Sequence, residues 1–210
     1  MKPRSFQQEV LESNHRIQVV RACRRAGKTE LGIDWAVQGS GNALIVATNT
    51  CHAKMILGRM EEKYRDKVVR RMSSHVEFSD KKVYVAYGAY PDSYRGLNVD
   101  RVVLDDAGYL KEEWTYVCSA LIANGEGKML VLLSGIGENS VGKYFEKYRP
   151  VCNYISYSWE DMVKDNILSL RDMADIIKYA NLEQLKNEFG PWEEIWIEPL
   201  NTNYVGLLRK

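Results

Sequence analysis

The segment Ala22-Cys23-Arg24-Arg25-Ala26-Gly27-Lys28-Thr29 combines the residue types that hold a polyphosphate. Backbone N–H groups of such a loop, with the positive end of a following helix, can wrap a β-phosphate. Lys28 can reach the β and γ oxygens and the Thr29 hydroxyl can ligate magnesium. Ala22 stands where the usual pattern has glycine, a change that leaves these roles intact. Arg24 is the candidate from within the loop to neutralise charge that develops during phosphoryl transfer, an effect worth roughly 10³ to 10⁵ in rate where an arginine finger acts. Arg25 either joins it or points outward into solvent.

A second constellation is Arg101-Val102-Val103-Leu104-Asp105-Asp106, an apolar run closed by two carboxylates. At the C-terminal edge of a parallel sheet such carboxylates sit beside a phosphate loop, Asp105 holding a metal and Asp106 orienting a water. The competing reading of Asp106 is a helix N-cap.

These side chains need strands and helices to carry them. Apolar, β-rich runs fall at Ile17 to Ala22, Ala43 to Ala47, Val83 to Tyr87, Val102 to Leu104 and Met129 to Leu133. Helical patterns lie at Lys28 to Gln38, Ala53 to Arg65, Lys111 to Ala123 and Gly142 to Tyr148. The alternation predicts an α/β fold, a mostly parallel sheet covered on both faces. Ser79 to Lys82, between Val76 to Phe78 and Val83 to Tyr87, predicts a local antiparallel hairpin. Past Pro150 the pattern turns to polar helical segments, Ser169 to Tyr179 and Leu182 to Phe189. The expected organisation is therefore a nucleotide-binding core over residues 1–150 and a small helical subdomain, 151–210, packed on it.

At 210 residues, 45% hydrophobic and 27% charged, the chain has the composition of a packed globular domain and not of a disordered or disulfide-scaffold protein. No run of eighteen uncharged apolar residues occurs, so the expectation is a soluble intracellular protein. Cys23, Cys51, Cys118 and Cys152 form no CxxC pair and read as reduced thiols. His15, His52 and His75 stand far apart, with no metal-ligand spacing, and are given no role. The net charge of +1 hides an asymmetry: residues 1–95 hold 17 basic against 10 acidic side chains, the remainder 12 against 18. Lys63, Arg65, Lys67, Arg70 and Arg71 supply a basic cluster free for nucleic acid or for solvent. Trp35, Trp114 and Trp159 read as core, and Tyr84, Tyr87, Tyr90 and Tyr94 as a tyrosine-rich strand and turn.

Six features together resemble the ATPase domain of the large terminase subunits that drive genome packaging in tailed phages. Phe6-Gln7 precedes the loop by about twenty residues, as does that family's adenine-contacting aromatic-Gln pair. Arg24 lies three residues before Gly27, as in its R-x-x-G-K-[ST] loop. Ser93-Tyr94-Arg95-Gly96 lies ahead of the acidic strand end. Leu104-Asp105-Asp106-Ala107 is similar to its Walker B segment, Leu133-Ser134-Gly135 falls where its coupling motif lies, and Glu183 to Gly190 is similar to the acidic-aromatic stretch closing its ATPase lobe. The resemblance runs from about residue 5 to 195. It implies a P-loop NTPase fold of the RecA/ASCE kind, and ATP and Mg²⁺ as cofactors. It implies a nucleotide site of Phe6, Gln7, Arg24, Arg25, Ala26, Gly27, Lys28, Thr29 and Ser134, with Thr29 and Asp105 at the metal and Asp106, Arg24 and Lys28 catalytic. Implied partners are double-stranded DNA, a portal protein, a small terminase subunit and further copies in a ring, working in the host cytoplasm without a membrane.

The sequence departs from that family in three places. Asp106 stands where glutamate is usual, which predicts slow turnover. Ser134-Gly135-Ile136 replaces a Thr-Thr-Pro or Ser-Thr-Pro motif, and no nuclease lobe is expected from this chain. Arg95 reads either as part of a loop that reports nucleotide state or as an ion-pair partner of Asp92 or Asp100. Two other functions fit the same core, a helicase-like or repair ATPase and a weakly hydrolysing nucleotide-binding assembly subunit.

Overall fold

The computed structural model describes residues 3–123, 126–134, 140–147 and 149–169. Eight strands form one sheet: β1 (Ile17–Ala22), β2 (Ala43–Ala47), β3 (Val68–Arg71), β4 (His75–Phe78), β5 (Lys82–Tyr87), β6 (Arg101–Leu104), β7 (Lys128–Leu133) and β8 (Asn153–Tyr157). Their spatial order is β3-β4-β5-β2-β6-β7-β1-β8. The pairs from β5 through β8 are parallel, and β3, β4 and β5 pair antiparallel at one edge. The α/β class, the mostly parallel sheet and the hairpin are as the sequence leads one to expect.

Each central strand sends alternate side chains to opposite faces, as period-two geometry requires. Val20, Ile45, Val103, Leu130 and Leu132 face one core layer, while Val19, Leu44, Val46, Val102, Met129 and Val131 face the other. The first layer is roofed by α1 (Ser5–Glu12), α2 (Lys28–Gln38), α3 (Thr50–Lys63) and α6 (Trp159–Lys164), the second by α4 (Glu113–Leu121) and α5 (Ser140–Lys147). Strands buried on both faces read as largely apolar runs, which is why β1, despite Gln18 and Arg21, and β2 fall at their expected bounds, as helix α2 also does. In α2, a Cβ on Gly32 would come within 3.0 Å of Val103 Cγ1, so glycine lets that helix lie close on the sheet.

Three elements are not legible in the sequence. β3 is a four-residue edge strand with three residues exposed and only Val68 reaching the core, and α1 is a short helix opening the described chain. β8 is a correction to the expected passage from strands to helices past Pro150: residues 153–157 enter the central sheet beside β1. With only Ile155 and Tyr157 of its five residues buried, β8 lacks a strong apolar run and takes its conformation from β1. The expected helices at 169–179 and 182–189, and the segment 183–190, lie outside the described residues, apart from Ser169. Trp35 and Trp114 are core, as expected, and Trp159 is partly buried. Among the described residues no helix is long and apolar enough to cross a membrane.

Candidate functional site

Strand register brings the chemistry together. Arg21 of β1 lies opposite Leu133 of β7, and Leu104 of β6 lies opposite Val131 of β7 and Val46 of β2. The loop after β1, Ser134 after β7, the Asp105-Asp106 pair after β6 and the segment Thr48 to His52, which leads from β2 into the first turn of α3, therefore occupy one edge of the sheet. Sites in open α/β sheets form at this carboxyl edge.

The loop is built by two left-handed residues, Arg25 (φ 65°) and Gly27 (φ 83°). Gly27 is also the N-cap of α2, and no side chain caps that end. The first N–H groups of a helix have no partner within it, so this end can receive an anion. Cys23 N–H donates to Tyr157 O at 3.3 Å, tying the loop to β8. Arg24 and Arg25 are exposed, Ala26 is buried and Thr29 is partly exposed at the first turn of α2.

Lys28 is 7% exposed and donates from Nζ to Ala22 O and Cys23 O, both at 3.0 Å. Burial pulls its ammonium below the usual lysine range, while the Asp106 and Asp105 carboxylates pull the other way. That electrostatic coupling places the expected loop lysine and the expected strand-end acids in one field.

Asp105 is 1% exposed and neither carboxylate oxygen has a hydrogen-bond donor. His52 Nε2 stands 3.1 Å from its Oδ2, an ion pair when the imidazole is protonated. Asp105 raises His52 above its ordinary value and burial opposes the shift. On its other side His52 Nδ1 meets Thr48 Oγ1 at 3.1 Å. Ligand atoms of His52, Asp105 and Asp106 lie within 4.8 Å of one another. Of this set, the Asp105 and Asp106 carboxylates are the hard oxygen donors that suit magnesium, while the imidazole is a softer donor beside them. His52 is the residue that sequence reasoning missed; a single histidine far from the acids in sequence carries no signal until β2 and β6 are known to be neighbours.

Asp106 adopts φ 49°, ψ 48°, and begins a 3-10 turn, Ala107–Tyr109, without capping it through its side chain. Its Oδ1 accepts a hydrogen bond from Ser134 Oγ at 2.6 Å. The N-cap reading fails on this geometry. Ser134 thus joins the site from β7, which lies between β1 and β6. Gly135 and Ile136 lie outside the described residues.

Phe6 is 3% exposed and packs on the Tyr157 ring at 4.4 Å. Gln7 Nε2 donates to Gly27 O at 3.0 Å. Phe6 thus packs on β8 and Gln7 reaches the phosphate-binding loop. Arg95 pairs with Asp92 (2.6 Å), the second of its two readings, in an exposed turn that Gly96 completes at φ 81°. Of the basic cluster, Lys63 pairs with Asp34 and Arg71 with Glu61, while Arg65, Lys67 and Arg70 are exposed.

No protein-family model and no curated protein sequence matches this chain. Solved structures do. The Thermus phage P74-26 large terminase ATPase domain superposes with TM-score 0.73 at 18% identity, over 90% of this chain and 93% of that one. The large terminase of a thermophilic bacteriophage, in complex with ADP, gives 0.68 at 14%, over 88% of this chain and 52% of that one, so the chain spans about half of that protein. A nuclease-deletion mutant of the Type ISP restriction-modification enzyme LlaGI, in complex with a DNA substrate mimic, gives 0.52 at 13% over 100% of this chain and 24% of that one. At these identities the likeness is one of fold: the chain has the fold of phage large-terminase ATPase domains.

Proposed function

We propose that this chain is the ATP-hydrolysing lobe of a motor that packages viral double-stranded DNA. The observation that carries the reading is the convergence of Lys28, Asp105 and Asp106 on one sheet edge, at an uncapped helix end. Lys28 feels both carboxylates although they follow a different strand, far from it in sequence. The solved relatives in fold support it, one of them holding ADP and another ATP-gamma-S.

In this reading the loop amides and Lys28 bind the β and γ phosphates, and Arg24 meets the γ-phosphate. Thr29 and Asp105 would hold magnesium, which supplies positive charge against the phosphate oxygens. Asp106 accepts a proton from the attacking water and Ser134 fixes its carboxylate. An aspartate side chain reaches one methylene less far than glutamate, so water sits less well in line and turnover is slow. Movement of DNA belongs to an assembly of this lobe with further copies, a portal protein and a small terminase subunit.

A second reading, an ATPase acting on DNA outside packaging, has the support of the LlaGI likeness, since that protein's structure is in complex with a DNA substrate mimic. Phosphate release with and without double-stranded DNA is the test. DNA-stimulated release that Asp106→Asn abolishes supports hydrolysis at this site. Unwinding of a 3′-tailed strand would favour the second reading, and no release under any condition would leave only a nucleotide-binding subunit.

A further inference from the structure

We infer that Arg4 and Gln7 are positioning residues whose side chains lock the phosphate-binding loop. The inference rests on the phosphate-loop reading above and assigns its affinity to a device outside the loop.

Gln7 Oε1 accepts the backbone N–H of Arg4 at 2.9 Å, which fixes the amide so that Nε2 faces the Gly27 carbonyl at 3.0 Å. Arg4 Nη1 donates to the Arg25 carbonyl at 3.1 Å. The two carbonyls belong to the two positive-φ residues of the loop. Across a planar trans peptide the carbonyl and the following N–H point in opposite directions. The Gly27 carbonyl also accepts the Leu31 N–H of α2 at 3.0 Å, so the helix and Gln7 hold that peptide plane together, with the Lys28 N–H, the first of α2, pointing the opposite way. Arg25 O is held in the same way from outside, while the next N–H, that of Ala26, is held from inside by Cys23 O at 3.2 Å. Two peptide planes of the loop are thus braced by side chains that precede it by about twenty residues, that of Arg25 from outside the loop and that of Gly27 in addition to its bond within α2.

The fit leaves little slack. A Cβ on Gly27 would lie 3.0 Å from Gln7 Nε2 and 3.1 Å from Arg4 Nη1. Helix α1 is itself pinned by Phe6, whose ring is buried against Tyr157 of β8. Arg25 sits at φ 65°, in the left-handed region that L side chains disfavour, so a brace on its carbonyl holds the loop in a conformation it would otherwise tend to leave. Preorganisation of this kind raises affinity for whatever the amides hold and is indifferent to the base.

The test is calorimetric titration of ATP, GTP and inorganic tripolyphosphate, each with magnesium, into the wild type, Gln7→Ala, Arg4→Ala and Arg4→Lys. Expected is an equal loss for all three ligands, about three- to ten-fold for each alanine variant, from one lost hydrogen bond. Arg4→Lys keeps a donor and stays within about two-fold of the wild type, an inference from the retained hydrogen bond. A role in folding alone would lower the melting temperature and leave affinity well below that temperature unchanged, which would overturn the inference. Loss confined to ATP, with GTP and tripolyphosphate unaffected, would also overturn it and return Gln7 to the base. Failure of the wild type to bind any of the three refutes the phosphate-loop reading itself and the inference with it.

Discussion

Replacing Lys28 with methionine separates what the lysine does for the fold from what it does for the ligand. Lys28 is 7% exposed, and its ammonium makes two hydrogen bonds to loop carbonyls. Those charge-assisted bonds contribute roughly 1.5–3 kcal/mol each. Against them stands the desolvation of a buried ammonium, several kcal/mol in folded proteins. The two nearly cancel, and methionine keeps the aliphatic stem, so the melting temperature of Lys28→Met should stay within about 4 °C of the wild type. Asp105 retains His52 beside it and Asp106 retains Ser134. Nucleotide binding has no such cancellation, because the ammonium exchanges carbonyl partners for charged phosphate oxygens. Losing about 3 kcal/mol there weakens ATP by about 10²-fold. Calorimetry with Mg-ATP and a thermal melt of the same samples measure both quantities. ATP affinity within about three-fold of the wild type, less than one such bond is worth, refutes the phosphate assignment. A fall of more than about 10 °C in melting temperature shows that the lysine is there for the fold.

Asp106→Asn should lower single-turnover hydrolysis about 10²-fold with ATP affinity nearly unchanged, because an amide can hold water but cannot take its proton; asparagine tolerates the left-handed backbone at φ 49°, so an unfolded variant or an unchanged rate contradicts the role. His52→Ala removes the neighbour of a buried carboxylate and should cost about 1–3 kcal/mol in urea unfolding. Magnesium without nucleotide should restore part of that loss, and an identical response of mutant and wild type to magnesium would separate His52 from the metal site. Burial pushes the Cys23 thiol up to about 12, so at about pH 8 its thiolate fraction is about 10³-fold below that of an ordinary exposed thiol. Cys51 is exposed and Cys23 is buried; iodoacetamide mapping by mass spectrometry should label Cys51 in the folded protein and Cys23 only in denaturant, and early labelling of Cys23 would refute its burial. Because the folded state keeps the Cys23 proton, that thiol's stabilising contribution is complete below about pH 9 and is lost as pH rises toward about 12.

The sequence by itself determined the parts whose signals are local. A loop of Gly27, Lys28 and Thr29 after an apolar strand, two acids closing another strand, and the serine after a third are each written within a few residues. Burial on both sheet faces writes β2 as an unbroken apolar run, β6 and β7 as apolar runs behind one basic residue, and β1 as one interrupted by Gln18 and Arg21. The tertiary structure decided which of these ends meet and what else meets them. His52 reaches Asp105 only because β2 pairs with β6, and Ser134 reaches Asp106 only because β7 lies between β6 and β1. Asp106 takes a left-handed backbone that turns its carboxylate from capping to the site. β8, with too few buried positions to announce itself, becomes a strand by pairing with β1. Gln7 and Arg4 act on the loop through carbonyls about twenty residues away, a partner choice that depends on how α1 packs. Periodicity encodes how a segment is buried; the order of strands in the sheet, fixed by chain crossovers, decides which buried segments become neighbours.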